Sequence, residues 1–230
     1  MLFRSNLSHT IHEQIPTYGN SSGPKLTADK QMCAGDSCNT IKVEMSNHHG
    51  THLDAPLHFN PHGKSLTDYS EDYWFCREAE LIDCPLQEYE ILDARKLEAH
   101  LSSDETHATE ALILKTGWSL RRETPDYWKI PPGFSPEIAD LLRSRFPRLK
   151  FFGFDIISLS SFTNRNLGRE AHKRFLAMEP EILILEDLNL NRFYEDSTLA
   201  LSNLLVAPLM LEGADGSPCT VFANIFPHQS

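Results

Sequence analysis

Residues 48–58 read His48-His49-Gly50-Thr51-His52-Leu53-Asp54-Ala55-Pro56-Leu57-His58. Three imidazoles and a carboxylate (His48, His52, Asp54, His58) fall within eleven residues. Gly50 admits a tight backbone path that a side chain would obstruct, and Pro56 stiffens the other side. The stretch reads as a rigid loop presenting nitrogen and oxygen donors. Such a set suits Zn²⁺, Mn²⁺ or Fe²⁺, whereas Ca²⁺ prefers more oxygen ligands. A carboxylate can bridge two metals, so one or two ions fit. The bland alternative is a histidine-rich surface loop in a chain with 11 histidines; the ordered glycine, proline and carboxylate speak against it.

Working outward, Ile41, Val43 and Met45 alternate with Lys42, Glu44 and Ser46, the pattern of a half-buried strand running into the cluster. Residues 20–38 are rich in Ser, Gly, Asn and Asp and read as a long loop or flap. Ala79 to Ile82, Ala111 to Lys115 and Phe151 to Ile157 are strand candidates. Ile182 to Leu185 is a short apolar strand that delivers Glu186 at its end. Asp93 is placed to cap a helix from Ala94 to Leu101, and Ser135-Pro136-Glu137 reads as a capped helix start. Residues 168–178 carry His172, Phe175 and Leu176 at helical spacing. Leu204–Leu211 and Cys219–Ile225 read as a hairpin pair. Strands alternate with helices, so the class is α/β, a mixed sheet with flanking helices, in one domain spanning 1–230.

The formal net charge is −11, from 21 basic and 32 acidic side chains. That surface disfavours nucleic acid and anionic lipid as partners. No apolar run approaches the roughly 20 residues needed to cross a bilayer, and the N-terminus lacks a signal-peptide pattern, so a cytoplasmic protein with no membrane partner is expected. The five cysteines are odd in number and form no Cys-x-x-Cys pair, which reads as free thiols. Gly-x-Ser-x-Gly is absent, which weakens a serine-hydrolase reading.

The central segment fits His-x-Gly-Thr-His-x-Asp-x-Pro-x-His at every fixed position, and in this it resembles the cyclase-like metal-dependent hydrolases, which include bacterial kynurenine formamidase and isatin hydrolase. Leu7-Ser8-His9 with Pro16, Thr116-Gly117-Trp118, Gly153-Phe154-Asp155 with Ser158, and Leu211 through Pro218 resemble further stretches of that family. The resemblance implies a swivelling β/β/α fold and assembly as homodimers or homotetramers. It implies metal binding by His48, His52, Asp54, His172 and Glu186, with Zn²⁺ first and Mn²⁺ as the alternative, and catalysis by His58. The stretch between His172 and Glu186 is longer than the family norm, which makes Glu181 and Glu170 rivals of Glu186.

The expected activity is hydrolysis of an amide C–N bond in a small-molecule substrate: an arylformamide such as N-formylkynurenine of tryptophan catabolism, or a cyclic amide. A metal-dependent cyclase or acyl transferase/esterase, and a non-catalytic metal-binding protein, are the competing readings. Tyr18 and Phe59 are candidate substrate contacts, and Trp74 and Trp118 are further candidates for an aromatic wall. Thr51 is expected to shape the loop and Asp155 to orient a loop or ligand. His49 is read as exposed or as backing the site, His62 as a turn residue that can reach substrate, and His100 and His107 as solvated.

Overall fold

The computed structural model describes residues 3–101 and 108–227; His107 lies outside them. The strands are β1 (Phe3–Asn6), β2 (Lys25–Lys30), β3 (Thr40–Glu44), β4 (His52–Asp54), β5 (Phe75–Cys76), β6 (Ala79–Asp83), β7 (Ile91–Leu92), β8 (Ala111–Lys115), β9 (Gly133–Phe134), β10 (Phe151–Phe154), β11 (Leu183–Glu186), β12 (Leu199–Pro208) and β13 (Gly216–Pro227). The helices are α1 (Ala94–Glu98), α2 (Asp126–Lys129), α3 (Glu137–Arg145), α4 (Arg165–Leu176) and α5 (Asn191–Glu195). The fold is the mixed α/β type the sequence implied.

Nine strands form one sheet in the order β5-β12-β13-β4-β11-β10-β8-β6, with β1 also on β13. Strands β6, β8, β10 and β11 run parallel. The short β4 is antiparallel to β11 on one side and to β13 on the other, and so joins the parallel half to the long β12–β13 hairpin.

Successive strand residues face opposite sides of a sheet, and the core divides accordingly. Leu112, Leu114, Phe152, Phe154 and Ile184 face a cluster that takes in Ile138, Leu142, Ala171 and Phe175 of α3 and α4. Ala111, Ile113, Phe151, Leu183 and Leu185 face a second cluster with Leu204, Val206, Val221 and Ile225 of the hairpin. Parallel strands buried on both faces read as continuous apolar runs, which is why Ala111–Lys115 and Ile182–Leu185 were legible.

Several local expectations change. Residues 20–38 are not one loop: β2 occupies Lys25–Lys30 and pairs antiparallel with β3. The β3 strand is exposed rather than half-buried, with Ile41 and Val43 at 62% and 53% exposure. Leu26 lies opposite Val43 and Ala28 opposite Ile41, so the hairpin has one apolar face, exposed at Ala28, Ile41 and Val43 and half-covered at Leu26. The Ser135 hydroxyl does not cap α3; it is buried without a partner, and Pro136 occupies the cap position. Asp93 does cap α1, accepting from the Lys96 N–H at 2.8 Å, and that helix ends at Glu98. β10 stops at Phe154, and α4 begins three residues earlier than the apolar spacing implied.

All five cysteines are free, as expected. No helix among the described residues is long and apolar enough to cross a membrane.

Candidate metal centre and active site

Register assembles the site. His52 and Asp54 are two residues apart on β4 and therefore point to one face. Glu186 lies directly opposite His52 on β11, and Ile184 opposite Asp54. On the far side of β4, Gly216 sits opposite Asp54. A Cβ on Gly216 would stand 2.6 Å from the His48 ring, so only glycine lets that imidazole lie against β13. Gly50 adopts φ +69° at the turn into β4, the backbone path its place in the sequence implied. The Thr51 hydroxyl donates to the Asp187 carbonyl at 2.5 Å and accepts from the His9 N–H at 3.0 Å, pinning the loop to the end of β11.

His172 arrives from α4. Its Nδ1 donates to the Gly168 carbonyl at 2.8 Å, and His52 Nδ1 donates to the Gly50 carbonyl at 2.9 Å. A carbonyl only accepts, so each ring carries a proton on Nδ1 and turns Nε2 toward the site as the atom a cation would bind. His52 Nε2 lies 3.4 Å from Asp54 Oδ1 and 3.4 Å from Glu186 Oε2. His172 Nε2 lies 3.6 Å from Asp54 Oδ2 and 3.4 Å from Glu186 Oε1. Good N–H···O hydrogen bonds are shorter, about 2.7–3.2 Å. The separations instead match the edge of a tetrahedron, about 3.4 Å for ligand atoms about 2.1 Å from a central Zn²⁺. The donors therefore fit a divalent cation.

The electrostatics agree. Asp54 and Glu186 are buried, and burial alone would raise both carboxyls; the His48 hydrogen bond to Asp54 and the attraction of the facing imidazoles for both carboxylates hold them below their ordinary values. Burial likewise opposes the charged forms of His52 and His172, but the two carboxylates outweigh it and raise both rings, His52 well above the usual range. The field here favours positive charge. Glu186 is oriented further by the Leu159 N–H, which donates to its Oε1 at 2.7 Å.

A second set of donors shares Asp54: one ligand atom each from His48, Asp54 and His58 lies within 4.8 Å of the others. His48 Nδ1 meets Asp54 Oδ1 at 2.8 Å, and its Nε2 meets Asp215 Oδ2 at 3.1 Å. His58 stacks on His48 with ring centroids 4.1 Å apart and bonds Asp215 Oδ2 through Nδ1 at 2.6 Å. Burial would raise the Asp215 carboxyl, but the hydrogen bond from His58 and the charge of His48 lower it.

The six predicted site residues line one cavity of about 310 Å³, together with Tyr18 and Phe59. Phe59 stacks on His172 with centroids 4.6 Å apart. Trp74 and Trp118 do not join them; both are core. The rivals of Glu186 are elsewhere. Glu181 pairs with Lys64 and the Tyr69 hydroxyl, and Glu170 pairs with Lys173 at the surface. His49 is buried at 7% exposure, backing the loop, whereas His62 and His100 are exposed. His62 is a turn residue lining a separate cleft, away from the central cavity.

Asp155 orients a loop, accepting from the Thr116 N–H and hydroxyl, the Ser119 N–H and the Tyr194 hydroxyl. Sequence reasoning missed Asp215, which it placed only in a connecting turn, and Asp187, whose carboxylate takes the Arg122 guanidinium at 2.8 and 2.7 Å. Flanking glycines mark the Asp215 turn, but nothing in the spacing ties it to a histidine 157 positions earlier.

A family profile described as "Putative cyclase" matches residues 5–161. Kynurenine formamidase of Bacillus cereus is 31% identical over 214 residues, covering 93% of each chain. The kynurenine formamidase of Geobacillus thermodenitrificans is 27% identical over 217 residues, also covering 93% of each. Among solved structures, a potential metal-dependent hydrolase with cyclase activity superimposes with TM-score 0.75 at 21% identity, over 97% of this chain and 98% of that one. Isatin hydrolase A of Ralstonia solanacearum gives TM-score 0.73 at 18% identity, over 97% and 92%. Acidic and imidazole groups thus gather where β4, β11 and α4 meet, in a mixed α/β fold shared with those structures. The chain belongs to the cyclase family.

Proposed function

We propose that this protein is a metal-dependent amidohydrolase that cleaves an amide C–N bond, with arylformamides such as N-formylkynurenine as first substrates and cyclic amides as second. The observation that carries the reading is the convergence of Nε2-presenting His52 and His172 with Asp54 and Glu186, beside a histidine anchored on its own carboxylate. His48, His52, Asp54, His172 and Glu186 would hold the cation, Zn²⁺ first and Mn²⁺ as the alternative. A divalent cation supplies Lewis acidity and water acidic enough to attack at neutral pH.

His58 is the general acid/base. Asp215 holds its Nδ1, which fixes the ring and leaves Nε2 as the atom that exchanges a proton, first with water and then with the leaving nitrogen. Phe59 packs edge-on against His58 at 4.7 Å and face-on against His172, so it limits the motion of both rings and offers an apolar wall to an aromatic substrate. Tyr18 lines the same cavity.

A two-ion version of the same centre is supported by the donor set His48, Asp54 and His58, which shares Asp54 with the first. The reading also includes self-association as a dimer or tetramer, supported by the exposed apolar side chains Ile41 and Val43 of the β2–β3 hairpin.

The deciding experiment is hydrolysis of N-formylkynurenine, isatin and simple aryl esters by protein loaded with zinc or manganese and by chelated protein. Turnover of an amide that disappears on chelation and returns with metal is the expected result. Turnover of esters alone would replace amide cleavage with esterase chemistry, and metal binding without any turnover would replace it with a non-catalytic role.

A further inference from the structure

The metal end of the cavity is acidic, yet the same cavity is lined by two arginines, Arg165 and Arg169. Both stand on α4, with His172 further along. Positions 165, 169 and 172 follow the four- and three-residue spacing that keeps side chains on one helical face. His172 fixes where that face points: its Nε2 is directed at Asp54 and Glu186. With a rise of about 1.5 Å per residue, the arginine backbones lie roughly 5–10 Å along the helix from His172. That distance matches an aromatic ring with a short side chain.

Neither guanidinium is tied to a carboxylate, although Arg165 also engages the Tyr18 hydroxyl. Arg165 lies over the Phe162 ring at 4.1 Å and over the Tyr18 ring at 5.9 Å. A stacked guanidinium keeps its edge donors available for a planar anion. Arg169 Nη1 donates to the Asn166 side-chain oxygen at 3.0 Å. Among the described residues neither arginine is in an ion pair, in a chain with 32 acidic side chains to 21 basic. By contrast, the buried Arg122 is fully engaged with Asp187.

The N-terminal segment is built onto this end of the cavity. Gly19 has φ +67°, and a Cβ there would stand 2.9 Å from the Phe162 ring and 3.7 Å from Arg165 Nη2, so glycine lets the Tyr18 turn seat directly on the arginine shelf.

We infer that Arg165 and Arg169 form a carboxylate-binding subsite that selects, between the two substrate classes proposed above, the arylformamide with an anionic side chain over the neutral cyclic amide. The inference rests on the hydrolase reading above and adds to it the residues that read the charge of the substrate. The aryl portion lies between Phe59 and Tyr18, the amide faces the metal-binding end, and the anion meets the two guanidinium groups. The arginines offset the repulsion that Asp54, Glu186 and Asp215 would impose on an anionic substrate.

A matched pair of probes tests this: formanilide and 3-(4-formamidophenyl)propanoate, which differ by the carboxylate side chain. In wild-type protein the ratio of kcat/KM for the acid over the neutral amide should exceed one and fall with added salt. In the Arg165→Gln/Arg169→Gln double variant the ratio should drop about tenfold or more, the size expected for losing hydrogen bonds to a charged group. The loss should appear in KM for the acid, and Arg165→Lys should restore part of it.

Calorimetric binding of the amine product, 3-(4-aminophenyl)propanoate, should weaken by about the same factor. An unchanged ratio in the double variant, or product binding indifferent to both arginines, would overturn the subsite. If neither formamide is hydrolysed, it is the hydrolase reading that fails, while the calorimetry still decides the subsite on its own.

Discussion

Glu186 stands directly opposite His52 across the antiparallel pair β4/β11, with Oε2 3.4 Å from Nε2, although 134 positions separate them in the chain. The pairing puts one donor from each strand on the same face without any loop having to fold over. Replacing Glu186 by Gln keeps the shape and removes the charge that draws a cation. The expected result is at least a tenfold loss of zinc affinity, read by competition with a chromophoric chelator, with the far-ultraviolet circular dichroism unchanged. Glu181→Gln should leave zinc affinity as it is, because Glu181 is tied to Lys64 and Tyr69. The reverse pattern would transfer the ligand role to Glu181.

His58 is anchored through Nδ1 to Asp215 and stacked on His48. Replacing it by Ala removes the proton carrier and should lower kcat by about 10²–10⁴. One bound metal per chain should persist if His58 acts only in proton transfer. Loss of half the metal by elemental analysis would place His58 in a two-ion centre instead. Asp215→Asn should cost less, about 10–100-fold, as expected when a ring loses the partner that orients it.

Metal should stabilise the fold, because the proposed ligands come from β4, α4 and β11 together and only the folded chain assembles them. At a free concentration about 100 times the dissociation constant, binding adds about 2.7 kcal/mol. For a chain of this size that raises Tm by roughly 5–10 °C. A melting curve indifferent to EDTA and to added zinc would contradict the assembled centre.

Asp187 carries the Arg122 guanidinium in a two-pronged bond and accepts the Tyr127 hydroxyl at 2.6 Å, all within the interior. Its own backbone sits at φ +53°, in the left-handed region that Asn tolerates well. Asp187→Asn therefore isolates the charge. An uncompensated buried arginine should cost about 3–5 kcal/mol, or roughly 10 °C in Tm. A loss within 1 °C would show that solvent reaches Arg122 in the native state.

His9 contributes a pH dependence that a single substitution isolates. Its Nε2 is buried without a hydrogen-bond partner, and burial lowers the ring from its ordinary value of 6.5 more than the nearby Asp187 raises it. A depressed folded value means that the fold prefers neutral His9. That contribution is fully present above pH 6.5 and is lost as the pH falls below 6.5 through the folded value. Urea midpoints for wild type and His9→Gln between pH 8 and pH 5 check this: the wild-type curve should fall more steeply below 6.5. Parallel curves would remove His9 as the cause.

The β2–β3 hairpin bears on assembly. An isolated two-stranded hairpin is at best marginal in water, and its apolar face is exposed at Ala28, Ile41 and Val43, with only Leu26 half-covered. The Ile41→Lys/Val43→Lys variant should shift the protein toward monomer in light scattering without loss of fold. A wild-type protein that is already monomeric at working concentration would refute the assembly.

Much of the architecture was legible because burial writes itself into local pattern. Strands covered on both faces appear as Ala111–Lys115 and Ile182–Leu185, and the Gly50 and Pro56 positions mark a stiff loop. The β2–β3 hairpin was misread for the same reason in reverse. Its alternation over 41–45 is a good strand signal, but alternation shows only that two faces differ, not that either is covered by this chain. Ser135 failed as a cap because Pro136 itself took the cap position.

The sequence by itself determined the donors of the loop and the strand that delivers Glu186, because these follow from side-chain chemistry and from period-2 or period-3.6 patterning along a continuous chain. Only the tertiary structure decided that Asp215 holds His58, that Asp187 rather than solvent holds Arg122, and that Arg165 and Arg169 face the same cavity as His172. Each of those relationships is a matter of strand register or helix orientation across a long loop. Local pattern cannot encode them, because register is fixed by the packing of two faces that meet only once the chain has folded.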